Sequence, residues 1–92
     1  MGSEQSVIDR KLGKALTAID HATLALHLSL IAASQVQRVE CAQRARVSFL
    51  AALAELEQAA PILKLRDAWL AWHDEAQNGL AAALSRLASL EV

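Results

Sequence analysis

The segment that most constrains this fold is Ala15–Ala33, which is apolar on nearly every side when it is drawn as a helix. It contains no Gly or Pro, and its ionisable side chains are Asp20, His21 and His27. A surface helix shows one apolar stripe, whereas a helix that is apolar all round is buried by its neighbours. We therefore predict that this segment is the central helix of an all-α domain and that other helices cover it.

The composition supports a helical fold for the whole chain. Of the 92 residues, 20 are Ala and 16 are Leu, both strong helix formers, and Tyr is absent. β-Branched residues are sparse, which argues against strands. A chain of this length is typical of one domain. We predict a single helical domain over residues 1–92, with a flexible N-terminus at residues 1–5.

Apolar spacing predicts three helices, at about 5–33, 36–59 and 61–90, arranged as an up-down-up bundle. Ser34 and Gln37 have the Ser-x-x-Gln spacing of a capping box, which favours a new helix after Ser34. The alternative is one continuous first helix, because no Gly or Pro stands between Gly13 and Pro61. Pro61 suits the first turn of the third helix, where its missing N–H is no loss.

Two glycines lie inside predicted helices. Gly13 would admit a close crossing by another helix. Asn78 and Gly79 form a possible helix C-cap, but the apolar spacing of the third helix continues through them without a change of phase. We therefore predict an unbroken helix at that point.

The chain has more apolar residues than a small monomer readily buries. The hydrophobic fraction is 54%, against a usual value of roughly 45–50%. A small domain also leaves much of its apolar area exposed. We therefore expect the long helices to associate as a homodimer, to bind another protein, or both.

Charge and hydropathy argue against several classes of partner and indicate a compartment. The net charge of −1 gives no basic footprint for nucleic acid. The longest apolar segment, residues 22–33, includes His27 and is well short of the ~20 residues of a membrane span. The N-terminus lacks a signal-peptide pattern, and one cysteine, Cys41, cannot form an internal disulfide. We predict a cytoplasmic location and no membrane partner.

The histidines do not have the spacing of a metal site. His21 and His27 are six residues apart, whereas two ligands on one helix face need a spacing of three or four. His73 has no partner of the Glu-x-x-His type found in di-iron bundles, since Leu70 occupies that position. We predict no metal, no cofactor and no catalytic residues.

The leading functional hypothesis is a non-enzymatic protein-interaction module, such as a small adaptor, an inhibitor or a chaperone-like subunit. Trp69 and Trp72 fall three apart on one helix, and Trp is enriched at binding hot spots. His73 follows as a polar rim, and two cations lie on the second helix. The predicted partner-binding residues are Trp69, Trp72, His73, Arg38 and Arg46.

Two alternatives belong to other classes. The predicted arrangement of a long first helix followed by two shorter ones resembles the chorismate mutase type in shape. Ile19-Asp20 is weakly similar to part of the first helix of that type. That resemblance implies a site in which guanidinium groups hold two carboxylates, here using Arg10, Arg38 and Arg46. The second alternative is nucleic-acid binding by a basic helix face, which predicts steep salt dependence.

Overall fold

The computed structural model describes residues 3–58 and 66–90, and all three elements in these ranges are helices. They are α1 (Ser3–Ile31), α2 (Gln35–Gln58) and α3 (Arg66–Leu90). The chain measures 51 × 17 × 16 Å, so the helices run along one long axis. The prediction of an all-helical fold with three helices is confirmed, and the helix contacts are those of a bundle.

The break between the first two helices lies where the sequence predicted it. The Ser34 hydroxyl accepts a hydrogen bond from the Gln37 backbone N–H at 3.1 Å, which caps one of the free donors at the start of α2. The Ser34 carbonyl accepts from Arg38 N–H at 3.0 Å. α1 spans residues 3–31 instead of 5–33, a difference of two residues at each end. The predicted start at Pro61 lies outside the described residues.

The core is made mostly of small side chains, so the helices approach one another closely. Phe49 and Leu56 of α2 are its largest fully buried side chains, followed by Ser29 of α1. Trp69 and Trp72 of α3 are half-buried and pack against it. The buried core residues are Leu12, Ala15, Ile19, Ala22, Ala25, Ala45, Phe49, Ala52, Leu56, Ala76 and Ala83.

The close helix contact occurs at Gly79, not at Gly13. A Cβ added at Gly79 would lie 2.2 Å from two ring carbons of Phe49, so α3 can sit against this ring only because position 79 has no side chain. At Gly13, no described neighbour lies within 4 Å of an added Cβ, so the close crossing expected there is not found. α3 continues through Asn78 and Gly79, which confirms the unbroken helix.

The C-terminal end of α1 is capped by arginines from elsewhere in the chain. The last four carbonyls of a helix lack partners within it, and α1 has no basic residue in its last turn. Arg86 of α3 donates to the Ser29 carbonyl at 2.9 Å. Arg38 of α2 donates through Nε to the Ala32 carbonyl, just past the helix end, at 2.8 Å. Both cations also oppose the negative end of the helix dipole.

The C-terminal ends of α2 and α3 also accept hydrogen bonds from side chains of other helices. The indole N–H of Trp69, in α3, donates to the Leu56 carbonyl in the last turn of α2 at 2.7 Å. The amide of Gln35, at the start of α2, donates to the carbonyl of Leu90, the last residue of α3. Each described helix therefore has its C-terminal end bonded to a side chain from another helix, which fixes the helices in register.

Replacing Arg86 with methionine tests this capping. The Ser29 carbonyl loses its donor, and we expect the free energy of unfolding to fall by about 1 kcal/mol. The loss is moderated because the Nε of Arg86 is itself buried without a hydrogen-bond partner in the described part of the chain. Urea denaturation measures the change. The exposed Arg10→Met on α1 is the control, with an expected change within about 0.5 kcal/mol; equal effects would contradict the cap.

Candidate interaction face

Large apolar side chains of α1 are exposed in the segment that we expected to be covered on all sides. Leu24, Leu28 and Ile31 are 58%, 39% and 76% exposed, respectively. The prediction that other helices enclose the whole of Ala15–Ala33 is therefore wrong for the single chain. The physical reason is that α3 packs mainly against α2 and only slightly against α1, which leaves one side of the α1–α2 pair uncovered.

This uncovered side carries two adjoining clefts between α1 and α2. One, of about 370 Å³, includes Leu28 and Ile31 of α1 with Glu40 and Arg44 of α2. The other, of about 310 Å³, includes Leu24 and Leu28 with Arg44. Exposed Val47 lies beside Glu40 and Arg44 on α2. We call this surface the open face and define it by Leu24, Leu28, Ile31, Glu40, Arg44 and Val47.

The open face is mainly apolar and includes two charged side chains, those of Glu40 and Arg44. The guanidinium side chain of Arg44 lines both clefts, and Glu40 lines one of them from one helical turn away. Both residues are exposed. Cys41, the chain's only cysteine, is half-buried in the first cleft. Such a surface can hold an amphipathic helix, which would fill the clefts with apolar side chains and pair charges at the rim.

The predicted aromatic site residues lie on α3 and face the core. Trp69 and Trp72 are half-buried against it, and His73 is half-buried beside them. The rings of Trp69 and His73 are stacked, with centroids 4.9 Å apart and an angle of 20° between their planes. The indole N–H of Trp69 is bonded within the chain to the Leu56 carbonyl. These contacts give Trp69 a structural role, and its binding of a partner stays a prediction.

The structure does not bring the predicted arginines to the tryptophans. Arg38, near the start of α2, is half-buried and donates a hydrogen bond to the Ala32 carbonyl. Trp69 donates a hydrogen bond to the Leu56 carbonyl, near the other end of α2. Eighteen residues of helix separate positions 38 and 56, or about 27 Å. Arg46 is half-buried between them, and its Nε has no hydrogen-bond partner in the described part of the chain. The five predicted residues therefore do not form one surface.

Replacing Trp69 with phenylalanine separates the structural role of this residue from a binding role. The ring remains, but the hydrogen bond to the Leu56 carbonyl is lost, so we expect the free energy of unfolding to fall by about 1 kcal/mol. Trp72→Phe is the same substitution three residues away, and it leaves the hydrogen bond between Trp69 and the Leu56 carbonyl intact. Urea denaturation of both variants gives the comparison. A smaller loss for Trp69→Phe than for Trp72→Phe would contradict the capping role.

The arrangement that the enzyme alternative requires is not found within one chain. Arg38 donates a hydrogen bond to the Ala32 carbonyl. Arg10 lies twenty-two residues before Ala32, which corresponds to about 33 Å along the helix axis. A substrate with two carboxylates cannot reach both guanidiniums at that separation. The described residues contain no group of three or more His, Cys, Asp or Glu placed to hold a metal ion. Within the same ranges, no helix has the length and apolar character needed to cross a membrane.

Comparisons with protein-family models, with curated proteins and with solved structures found no match to this chain. The open face was missed at the sequence level, although a signal for it exists. Leu24, Leu28 and Ile31 follow steps of four and three, which place them on one side of a helix. This stripe lies away from the buried Ile19 and Ala22, and its exposure could be read only once the neighbours of α1 were known.

Proposed function

We propose that this chain is a non-enzymatic protein-interaction module that binds a helix of its partner on the open face. The observation that carries the proposal is the exposure of three large aliphatic side chains, Leu24, Leu28 and Ile31, on one helix beside two clefts. Contiguous exposed apolar surface is unfavourable in water and is typical of a binding surface in a stable protein.

The shape of the open face favours a helix as the bound element. The clefts follow the line between α1 and α2, and two adjacent antiparallel helices offer a groove to a third one. The partner helix would place apolar residues at steps of three and four against Leu24, Leu28 and Ile31. The partner is a second copy of the chain, giving a homodimer, or a different protein. In the second case, the module acts as a small adaptor, inhibitor or chaperone-like subunit, and in both cases we propose a cytoplasmic location.

Site-specific photo-crosslinking tests the module hypothesis in the cell, whatever the partner is. Leu28 is replaced with p-benzoylphenylalanine in the full chain, which is expressed in its natural cell and irradiated. Leu70 of α3, which is 44% exposed against 39% for Leu28, receives the same replacement as a control. We expect a discrete adduct from position 28 and none from position 70.

A further variant decides whether the adduct depends on the open face. Adding Leu24→Glu to the position 28 probe places a charge in the second cleft, so the adduct is expected to disappear. The mass of the adduct tells a second copy from another protein. Equal labelling from positions 28 and 70, or an adduct that survives Leu24→Glu, would contradict the proposed function.

A further inference from the structure

The second cleft of the open face combines an apolar floor with polar groups that can donate hydrogen bonds. The guanidinium of Arg44, the imidazole of His21 and the hydroxyl of Ser48 line it, and no carboxylate does. Glu40 lines the first cleft but not this one. A mostly apolar cleft with a few converging polar groups is typical of a binding site. The described residues that line this cleft are His21, Leu24, Ala25, Leu28, Arg44 and Ser48.

The three donors of this cleft are not used within the chain. Arg44 and Ser48 are four residues apart on α2, which places them on one side of that helix, and His21 reaches the cleft from α1. In residues 3–58 and 66–90, none of the three side chains has a hydrogen bond or an ion pair to another residue. Arg38 and Arg86, by contrast, donate to backbone carbonyls. The donors of the second cleft are therefore available to a bound group that accepts hydrogen bonds.

Arg44 determines what such a group must be. This residue lines both clefts, so a helix that covers the open face also covers its guanidinium. A cation that loses its water needs an anionic partner, because an unpaired charge is costly to bury. Within the described residues, Arg44 has no ion pair with Glu40, although the two lie one helical turn apart. A carboxylate suits the site, since a guanidinium can bind both of its oxygens at once.

We propose that the helix bound on the open face carries an aspartate or glutamate between its apolar residues and places this carboxylate in the second cleft against Arg44. This inference rests on the proposed function and names the chemistry of the partner. Ser48 and His21 are the further donors to the carboxylate, and the apolar residues on either side of it contact Leu24 and Leu28. A helix without the acidic residue leaves Arg44 buried and unpaired, so the cleft discriminates against it.

Two synthetic peptides and the purified full chain test the proposal. Each peptide has about 18 residues, or five helical turns, with leucines at steps of three and four. They differ at one central position between the leucines, which is glutamate in one peptide and glutamine in the other. We expect the unaltered chain to bind the glutamate peptide about tenfold more tightly, because a hydrogen bond between charged groups is stronger than one to a neutral amide. Fluorescence anisotropy of the labelled peptides measures both affinities.

Replacing Arg44 with glutamine is expected to make the two peptides bind alike. Arg10→Gln is the matched control, because it removes the same charge at an exposed position that lines neither cleft, and it should keep the tenfold preference. Circular dichroism checks that both variants stay helical. Equal binding of the two peptides to the unaltered chain, or a preference that persists in Arg44→Gln, would overturn the inference.

The remaining outcomes separate this inference from the proposed function. If both peptides bind equally and Leu24→Glu weakens both, the carboxylate is overturned as the bound group while the open face stands as the binding surface. Dodecanoate provides a carboxylate and an apolar chain without a helix. Binding of dodecanoate that depends on Arg44, with no binding of either peptide, would overturn the helix in favour of a small ligand. A lack of binding by all three probes would also overturn the inference, and the adduct from position 28 would then decide the proposed function by itself.

Discussion

Gly79→Ala is expected to lower the free energy of unfolding by about 1–3 kcal/mol, the usual cost of adding a methyl group to a packed core. The new Cβ would lie 2.2 Å from two carbons of the Phe49 ring and 2.8 Å from a third. Phe49 is 2% exposed, so its ring has little room to move away. The usual gain of about 1 kcal/mol from replacing a helical glycine with alanine opposes this loss without cancelling it.

A double substitution tests whether the Phe49 ring is the cause. Phe49→Leu removes the two ring carbons that lie nearest to the added Cβ, so Gly79→Ala should cost less in that background. We expect a coupling energy of about 1 kcal/mol or more between the two positions, as is found for residues in direct contact. Additive effects in urea denaturation would contradict the packing of the ring on Gly79.

Gly13→Ala is the matched control, since this glycine lies in a helix with no described neighbour within 4 Å of an added Cβ. We expect it to raise the free energy of unfolding by about 0.5–1 kcal/mol, because alanine loses less conformational freedom on folding. The same substitution should thus have opposite signs at positions 13 and 79. A loss of stability at both positions would contradict the assignment of Gly79 as the contact point.

If the partner on the open face is a second copy of the chain, Leu24→Glu combined with Leu28→Glu is expected to abolish dimerisation at micromolar concentration. Both side chains lie at the centre of the open face, and two carboxylates there would have to be buried without partners. Burial of one leucine is worth about 1.5–3 kcal/mol, so loss of two partly exposed ones weakens the dimer by about hundredfold or more. Sedimentation velocity measures the change in mass.

Leu30→Glu controls for the effect of charge on the same helix. Leu30 is 56% exposed, close to the value for Leu24, but it does not line either cleft of the open face. We expect this variant to dimerise as the unaltered chain does. The melting temperature of dimers rises with protein concentration, and that dependence should be lost only in the double variant. Equal weakening by Leu30→Glu would contradict the open face as the contact surface.

The helices could be predicted from the sequence because their signals are local. Ser34 caps the N-terminus of α2 as its spacing with Gln37 indicated. The regular apolar spacing through Asn78 and Gly79 correctly outweighed the possible C-cap, since buried Ala76 and Ala83 continue on the same face. These features depend on residues within one or two turns of each other.

The contacts between helices could not be predicted in the same way. Nothing in the spacing of Gly13 and Gly79 distinguishes the glycine that meets a ring from the one that meets no described neighbour, because the difference lies on α2, in Phe49. Apolar periodicity shows that a side chain prefers burial, but not whether the chain itself provides the cover. Leu24 and Leu28 therefore looked like core residues although they are exposed in a single chain.

The predicted roles of Arg38 and Trp69 also depended on contacts between helices that the sequence does not show. Arg38 and Trp69 have side chains typical of binding hot spots, and we predicted a partner site from their chemistry. Both are bonded to carbonyls at helix ends, Arg38 to Ala32 and Trp69 to Leu56. None of the described helices has a basic residue in its own last turn, so the ends are completed by donors from other helices.

Sedimentation equilibrium of the unaltered chain, from low to high micromolar concentration, tests the central claim most directly. If a second copy covers the open face, the apparent mass rises with concentration from the 9.9 kDa of one chain toward twice that value. A mass that stays at 9.9 kDa over the whole range would contradict self-association through the open face.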